Sequence, residues 1–190
     1  DTVYVSANPL VADEIGEVHR FVAAWRDGWN DDENTVLPQT VCQNALDVYD
    51  PTKRLVVHMI QPHHPFIGSE IVGRETDPFE EVENAETLDP WKAVKQGRAD
   101  AEEVWQAYSR NLNIGLEEAL TLANKLEGRT VLTSDHGNMI GERGWPSPFR
   151  IYGHPAGLRY PELVEVPWAI IDGDRREIVS GKVDKISEKT

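Results

Sequence analysis

The chain has 190 residues, a formal net charge of −14 and an apolar fraction of 39%. That length suits one domain with one sizeable core, and no apolar run approaches the roughly 20 residues needed to cross a bilayer. A charge of this sign repels nucleic acid and anionic lipid at long range, which discounts both as partners.

The acidity carries a second implication. Asp and Glu total 33, against 12 Arg and 7 Lys. Acidic, lysine-poor surfaces suit concentrated salt, where screening shortens the range of self-repulsion, so a salt-adapted source is expected. The lone cysteine, Cys42, can form no internal disulfide. With no signal-peptide pattern at the start, this favours a cytoplasmic setting. The neighbours of Cys42 read as helix, which predicts a small buried side chain rather than a reactive thiol.

Thr2 to Ser6 alternates polar residues with β-branched and aromatic ones and reads as a strand, ended by Asn8-Pro9. Val18 to Trp25 is an apolar stretch that fits strand or helix. Pro38 to Tyr49 reads as a helix with proline near its first turn. Arg54 to Ile60 (RLVVHMI) is a short apolar run that suits a buried parallel strand. Pro62 to about Arg98 is irregular and acidic, and long connections of this kind are commonly functional. Ala99 to Leu126 is the clearest helix, with Val104, Tyr108, Leu112, Leu116, Ala119, Leu120 and Ala123 at helical spacing and Gly128 as its C-cap. Thr130 to Thr133 reads as a short buried strand, Trp145 to Pro161 as a Pro/Gly/aromatic loop, and Val166 to Ile171 as the last core strand. This order predicts a single α/β domain over residues 1–190, with a mainly parallel sheet flanked by helices.

In such sheets chemistry gathers at the carboxyl ends of strands. His63 and His64 follow the RLVVHMI strand, Asp135 and His136 follow Thr130 to Thr133, and His154 lies in the loop before the last strand. A carboxylate and an imidazole are both good ligands for a divalent ion. Gly137 would relieve crowding where the backbone turns beside that ion. Read alone, Asp135-His136-Gly137 fits a turn cap followed by an exposed histidine at least as well. His58, inside its strand, reads as a hydrogen-bonded buried histidine.

Context favours the ligand reading. TVLTSDHGN (Thr130 to Asn138), Gly141-Glu142-Arg143-Gly144 and VEVPWAI (Val164 to Ile170) together resemble the C-terminal half of the alkaline-phosphatase superfamily, with the sulfatase-like branch as nearest match. VHMIQPHHPF (Val57 to Phe66) resembles that family's strand and following PHxPF segment, and the helix bearing Tyr108 and Asn111 sits where the family has its own. The resemblance spans about residues 53 to 172 and implies an alkaline-phosphatase-like core, present in part. It implies that Asp135 and His136 are metal ligands and that His63 contacts phosphate or sulfate oxygens. It places His154 on the transferred group or a second metal, and His64 at the variable position. The chemistry is coherent: moving a phosphoryl or sulfuryl group needs charge stabilised on its oxygens, which a divalent ion and cationic or hydrogen-bonding histidines supply. Arg143, Arg150 and Arg159 are further candidates to grip an anion.

The family also carries an N-terminal strand ending in Asp and, shortly after, a Thr, Ser or Cys nucleophile. Neither occurs here: Thr2 to Asn8 ends without Asp, and Cys42 lacks the C-x-P-x-R pattern of sulfatase maturation. The chain therefore reads as a portion of a longer archaeal sulfatase-like protein, inactive on its own. An imidazole ligand favours zinc or manganese, with calcium and magnesium as alternatives. The expected function is metal-dependent hydrolysis of sulfate or phosphate esters on a small molecule or glycan. The alternatives are a phospho-group transferase using the same residues and a non-catalytic fold that binds an anionic glycan. A cofactor-independent phosphoglycerate mutase shares the D-H-G-N motif but needs an inserted domain for which this chain is too short.

Overall fold

The computed structural model describes residues 1–12, 14–70, 89–146 and 148–181. In chain order the elements are β1 (Thr2–Ser6), β2 (Arg20–Ala23), α1 (Ala24–Gly28), β3 (Trp29–Asn30), β4 (Thr35–Val36), α2 (Pro38–Asp47) and β5 (Arg54–His58). They continue with α3 (Pro90–Lys95), α4 (Ala101–Ala123), β6 (Thr130–Thr133), β7 (Met139–Arg143), β8 (Arg150–Gly153), α5 (Pro161–Val164) and β9 (Trp168–Ile171).

The protein is mixed α/β. β1 is the central strand of a three-stranded parallel sheet in the order β2-β1-β5, with Val5 level with both Val22 and Val57. Val3 and Val5 project to one side and pack with Val41, Cys42 and Ala45 of α2. That contact follows from two periods meeting: alternate residues of a strand share a face, and residues three or four apart share a helix stripe. Pro38 opens α2 where a missing N–H costs nothing. α4 lies behind α2, where Cys42 Sγ stands 3.6 Å from the Glu118 carbonyl oxygen. Asp100 caps α4 by accepting from the amides of Glu102 and Glu103.

Outside this sheet the pairing is antiparallel. β6 pairs with β9, β7 with β8, and β3 with β4. A mainly parallel sheet thus holds only for β2-β1-β5. The run from Val166 forms a strand from Trp168 onward, but it is not a core strand: Trp168 is 66% and Ile170 51% exposed. These two residues lie on the same side of β9 and face solvent there.

Three further readings change. The Trp145 to Pro161 stretch contains β8, which returns against β7 as a hairpin arm. Pro62 to Arg98 contains α3, capped by Asp89 through the amides of Trp91 and Lys92; residues 71–88 of that stretch lie outside the described residues. Gly128 does adopt a left-handed φ of 83°, but α4 ends at Asn124, whose amide returns to Leu120 and Leu122. Gly128 instead turns the chain into β6. Among the described residues no helix is long and apolar enough to cross a membrane.

Candidate functional site

β5 and β6 both end on the same side of the molecule, and their following loops carry the predicted residues. After β5 the chain runs Gln61-Pro62-His63-His64-Pro65-Phe66. The buried side chain of Asn111 holds this loop from the interior of α4. Its Nδ2 donates to the carbonyl of His63 at 2.9 Å and lies within 3.3 and 3.4 Å of those of Pro62 and Pro65. Its Oδ1 accepts from the Ile67 amide at 3.2 Å. A proline-rich loop cannot bond to itself as a helix or strand does, so one fully buried amide fulfils that role. Phe66 anchors the far end in a cluster with Trp91, Val104 and Ala107.

Four imidazoles meet here. The ring centroids of His136 and His154 are 4.5 Å apart, those of His63 and His154 5.6 Å, and those of His63 and His64 4.2 Å. His63 Nδ1 donates to the His64 carbonyl at 2.6 Å, and His136 Nδ1 to the Gly137 carbonyl at 2.8 Å. A carbonyl only accepts, so in both rings Nδ1 carries a proton, and the lone pair of the neutral ring is the one on Nε2. Each ring is thereby set as a ligand or a base at Nε2. His154 is held below the usual imidazole pKa by burial against its neighbours and by the facing rings of His136 and His63, with Asp89 acting in the opposite direction.

Asp135 sits beside the cluster. Its Oδ1 lies 3.8 Å from His136 Nε2 and accepts from the His136 amide at 2.9 Å. Two donors bound to one zinc at about 2.1 Å each stand about 3.4 Å apart at the tetrahedral angle. The pair is thus within a few tenths of an ångström of a ligand separation. Asp135 also behaves as the turn cap considered above, and the two roles use the same oxygen. On its other side lies a Tyr4–His58 pair, joined by a 3.1 Å hydrogen bond. Burial raises the Tyr4 pKa and Asp135 adds to that; burial lowers His58 while Asp135 opposes it.

Gly137 is required for a reason other than a bound ion. A Cβ at that position would stand 2.0 Å from the Glu162 carbonyl oxygen, because the backbone of α5 is packed directly against it. The Gly137 amide donates to the Leu163 carbonyl at 2.9 Å. α5 therefore buttresses the loop that carries Asp135 and His136.

His64 packs against His63 and meets Phe66 edge-on. Its Nδ1 is shut off from solvent with no hydrogen-bond partner among the described residues. Burial, with His63 and His154 adding, pushes its pKa down to about 3. Of the three arginines considered above, Arg150 spends its guanidinium on the Gly141 carbonyl at 2.7 Å, pinning the β7–β8 hairpin, while Arg143 and Arg159 are exposed.

His63, Asp135, His136 and His154 thus come together, but not as a complete centre: among the described residues, no group of three or more His, Cys, Asp or Glu is placed to hold a metal ion. The donor types fit zinc or manganese, and the pair Asp135–His136 fits two coordination positions. Sequence reasoning had no role for Tyr4 or Asp89, and it noted Asn111 without its clamp; the only local signals were an asparagine on the apolar face of a helix and an Asp-Pro helix start. Comparison with protein-family models, with curated proteins and with solved structures finds no match.

Proposed function

We propose that this chain contributes part of the active centre of a metal-dependent hydrolase acting on sulfate or phosphate esters, of the sulfatase-like kind, with the nucleophile supplied by residues outside it. The observation that carries this reading is the Asp135–His136 pair at near-ligand separation, with His63 and His154 packed beside it. Asp135 and His136 Nε2 would hold the ion, which when bound supplies Lewis acidity toward an ester oxygen. His63 presents Nε2 toward the same space and accepts a proton or ligates. His154, packed between the other two rings, donates to an oxygen of the transferred group when protonated. The fixed tautomers of His63 and His136 mean that neither ring must reorient to act.

The test is calorimetric titration of Zn²⁺ and Mn²⁺ into the chain and into Asp135→Ala and His136→Ala, alongside assays on para-nitrophenyl phosphate and sulfate. Zn²⁺ affinity should fall at least about tenfold in either variant, while the unaltered chain turns over neither ester. Equal affinity in all three proteins removes the metal assignment. Robust turnover removes the placement of the nucleophile elsewhere.

A further inference from the structure

Only 12 Arg stand against 33 acidic residues in this chain, so a guanidinium on its surface has carboxylates close at hand almost everywhere. One place departs from that balance. A cavity of about 400 Å³ is lined by Arg54, Arg129, Arg175 and Arg176 and by one carboxylate, Asp174. A third of the arginines thus surround one opening, where they outnumber acids four to one. The adjoining cavity shares Arg175 and Arg176 but adds Glu127, Asp172 and Glu177, so carboxylates outnumber guanidiniums there. The positive side is the one toward Arg54. Arg54 begins β5 and His58 ends it, so the cavity lies at the end of that strand away from the His63 loop.

Two of the four arginines are held in place by the chain. Arg176 Nη1 donates to the carbonyls of Pro51 at 2.8 Å and Lys53 at 3.0 Å, and its guanidinium lies 6.0 Å from the centre of the Tyr49 ring. The backbone beside it is stripped to let it in: a Cβ on Gly128, whose φ is +83°, would stand 2.5 Å from Arg176 Nε. Arg129 Nη2 lies 3.2 Å from Asp172 Oδ1. The other two are unspent. Among the described residues, the side chains of Arg54 and Arg175 have no hydrogen-bond or ion-pair partner. Guanidiniums around one cavity repel one another, and an anion between them reverses the sign of that interaction.

We infer that this cavity binds a small, multiply charged phosphate-type oxyanion, with two linked phosphate groups as the best fit. A planar guanidinium fork matches two oxygens of one phosphate, so the two unspent forks of Arg54 and Arg175 serve two groups, with Arg129 and Arg176 adding charge from fixed positions. The volume agrees: it lies in the range of small-molecule sites, about 300–1,000 Å³, rather than that of a single tetrahedral ion. The chain's net charge of −14 does not oppose this. Screening acts over about 8 Å at physiological salt, so an anion inside the cavity responds to its four arginines and not to distant acids. A long polyanion would have to lie along the acidic surface beyond and is disfavoured. The inference stands on the arginines alone and holds whether or not Asp135 and His136 bind metal.

The test is calorimetric titration of inorganic diphosphate and inorganic phosphate into the full chain, in metal-free buffer at physiological salt. Diphosphate should bind at one site, at least about tenfold more tightly than phosphate, and should shift the backbone amide resonances of Gly128 and Gly173. The paired variant Arg54→Gln with Arg175→Gln should weaken diphosphate by at least about tenfold. Both side chains are exposed, so its unfolding midpoint without ligand should not fall. The paired variant His63→Ala with His154→Ala should bind diphosphate as the unaltered chain does. Absence of binding, or affinity that survives the arginine pair, overturns the inference. So does affinity that is lost with the histidine pair, which would place the anion at the imidazole cluster.

Discussion

The half of the molecule built on β1, α2 and β5 and the half built on β6 to β9 obey different rules. In the first, Val5, Val36, Val41 and Ala45 are fully buried, and β1 and β5 pack against α2. In the second, strands pair two by two, large apolar side chains face solvent, and the loops carry Asp135, His136 and His154. Packing fixes the first half. The second is held by a specific contact, α5 against Gly137, and the His63 loop between the halves by Asn111. The imidazole cluster lies where the two halves meet, so its geometry depends on those contacts more than on the core.

The largest effect expected of a single substitution tests that dependence. Asn111→Ala strands the loop groups that its amide now satisfies, and should cost about 4 kcal/mol in denaturant unfolding; a loss under about 1 kcal/mol would mean that the loop holds itself. Gly137→Ala drives a Cβ into the Glu162 carbonyl at 2.0 Å, and should cost about 3 kcal/mol or undock α5. The diagnostic is faster amide exchange at Gly137 and Leu163 with β1 unchanged. The core contrast is direct: Val5→Ala should cost about 2 kcal/mol through its cavity, and Ile170→Ala under about 0.5 kcal/mol. Equal costs would erase the difference between the halves.

A further effect depends on pH rather than on a contact. His64 titrates near 6.5 when unfolded and at about 3 when folded, so the unfolded chain binds the extra proton in that window. Stability should therefore rise with pH from about 3 to about 6.5, by up to about 1.4 kcal/mol per unit, and level off above. His64→Phe, beside Phe66, should flatten this slope. If the slope survives unchanged, other groups produce it. Least of all should follow from Arg129→Ala: its contact with Asp172 at 3.2 Å is between largely exposed side chains, and unfolding midpoints should not move.

Much of the first half was legible in advance because its signals are periodic. Thr2 to Ser6 alternates, Arg54 to His58 is a compact apolar run, and Ala101 to Ala123 repeats at helical spacing. The β7–β8 hairpin was not, because Gly141, Gly144, Pro146 and Pro148 punctuate the stretch that contains it. Its register is irregular between Ile140 and Arg143, which spoils the alternation that would reveal a strand. The openness of β9 was also hidden. VPWAII has the composition of a core strand, and composition does not say whether a covering layer is present. For the site, strand ends located the residues that gather, whereas tautomers, the Asn111 clamp and the reason for Gly137 depend on contacts far apart in sequence.

The Asn111 clamp has an evolutionary consequence. It ties the loop at Pro62 to Ile67 to α4 through a single side chain. One inherited change at position 111 would therefore shift three loop carbonyls and the placement of His63 together, so the loop and a helix nearly fifty residues away in sequence are bound to vary as one unit.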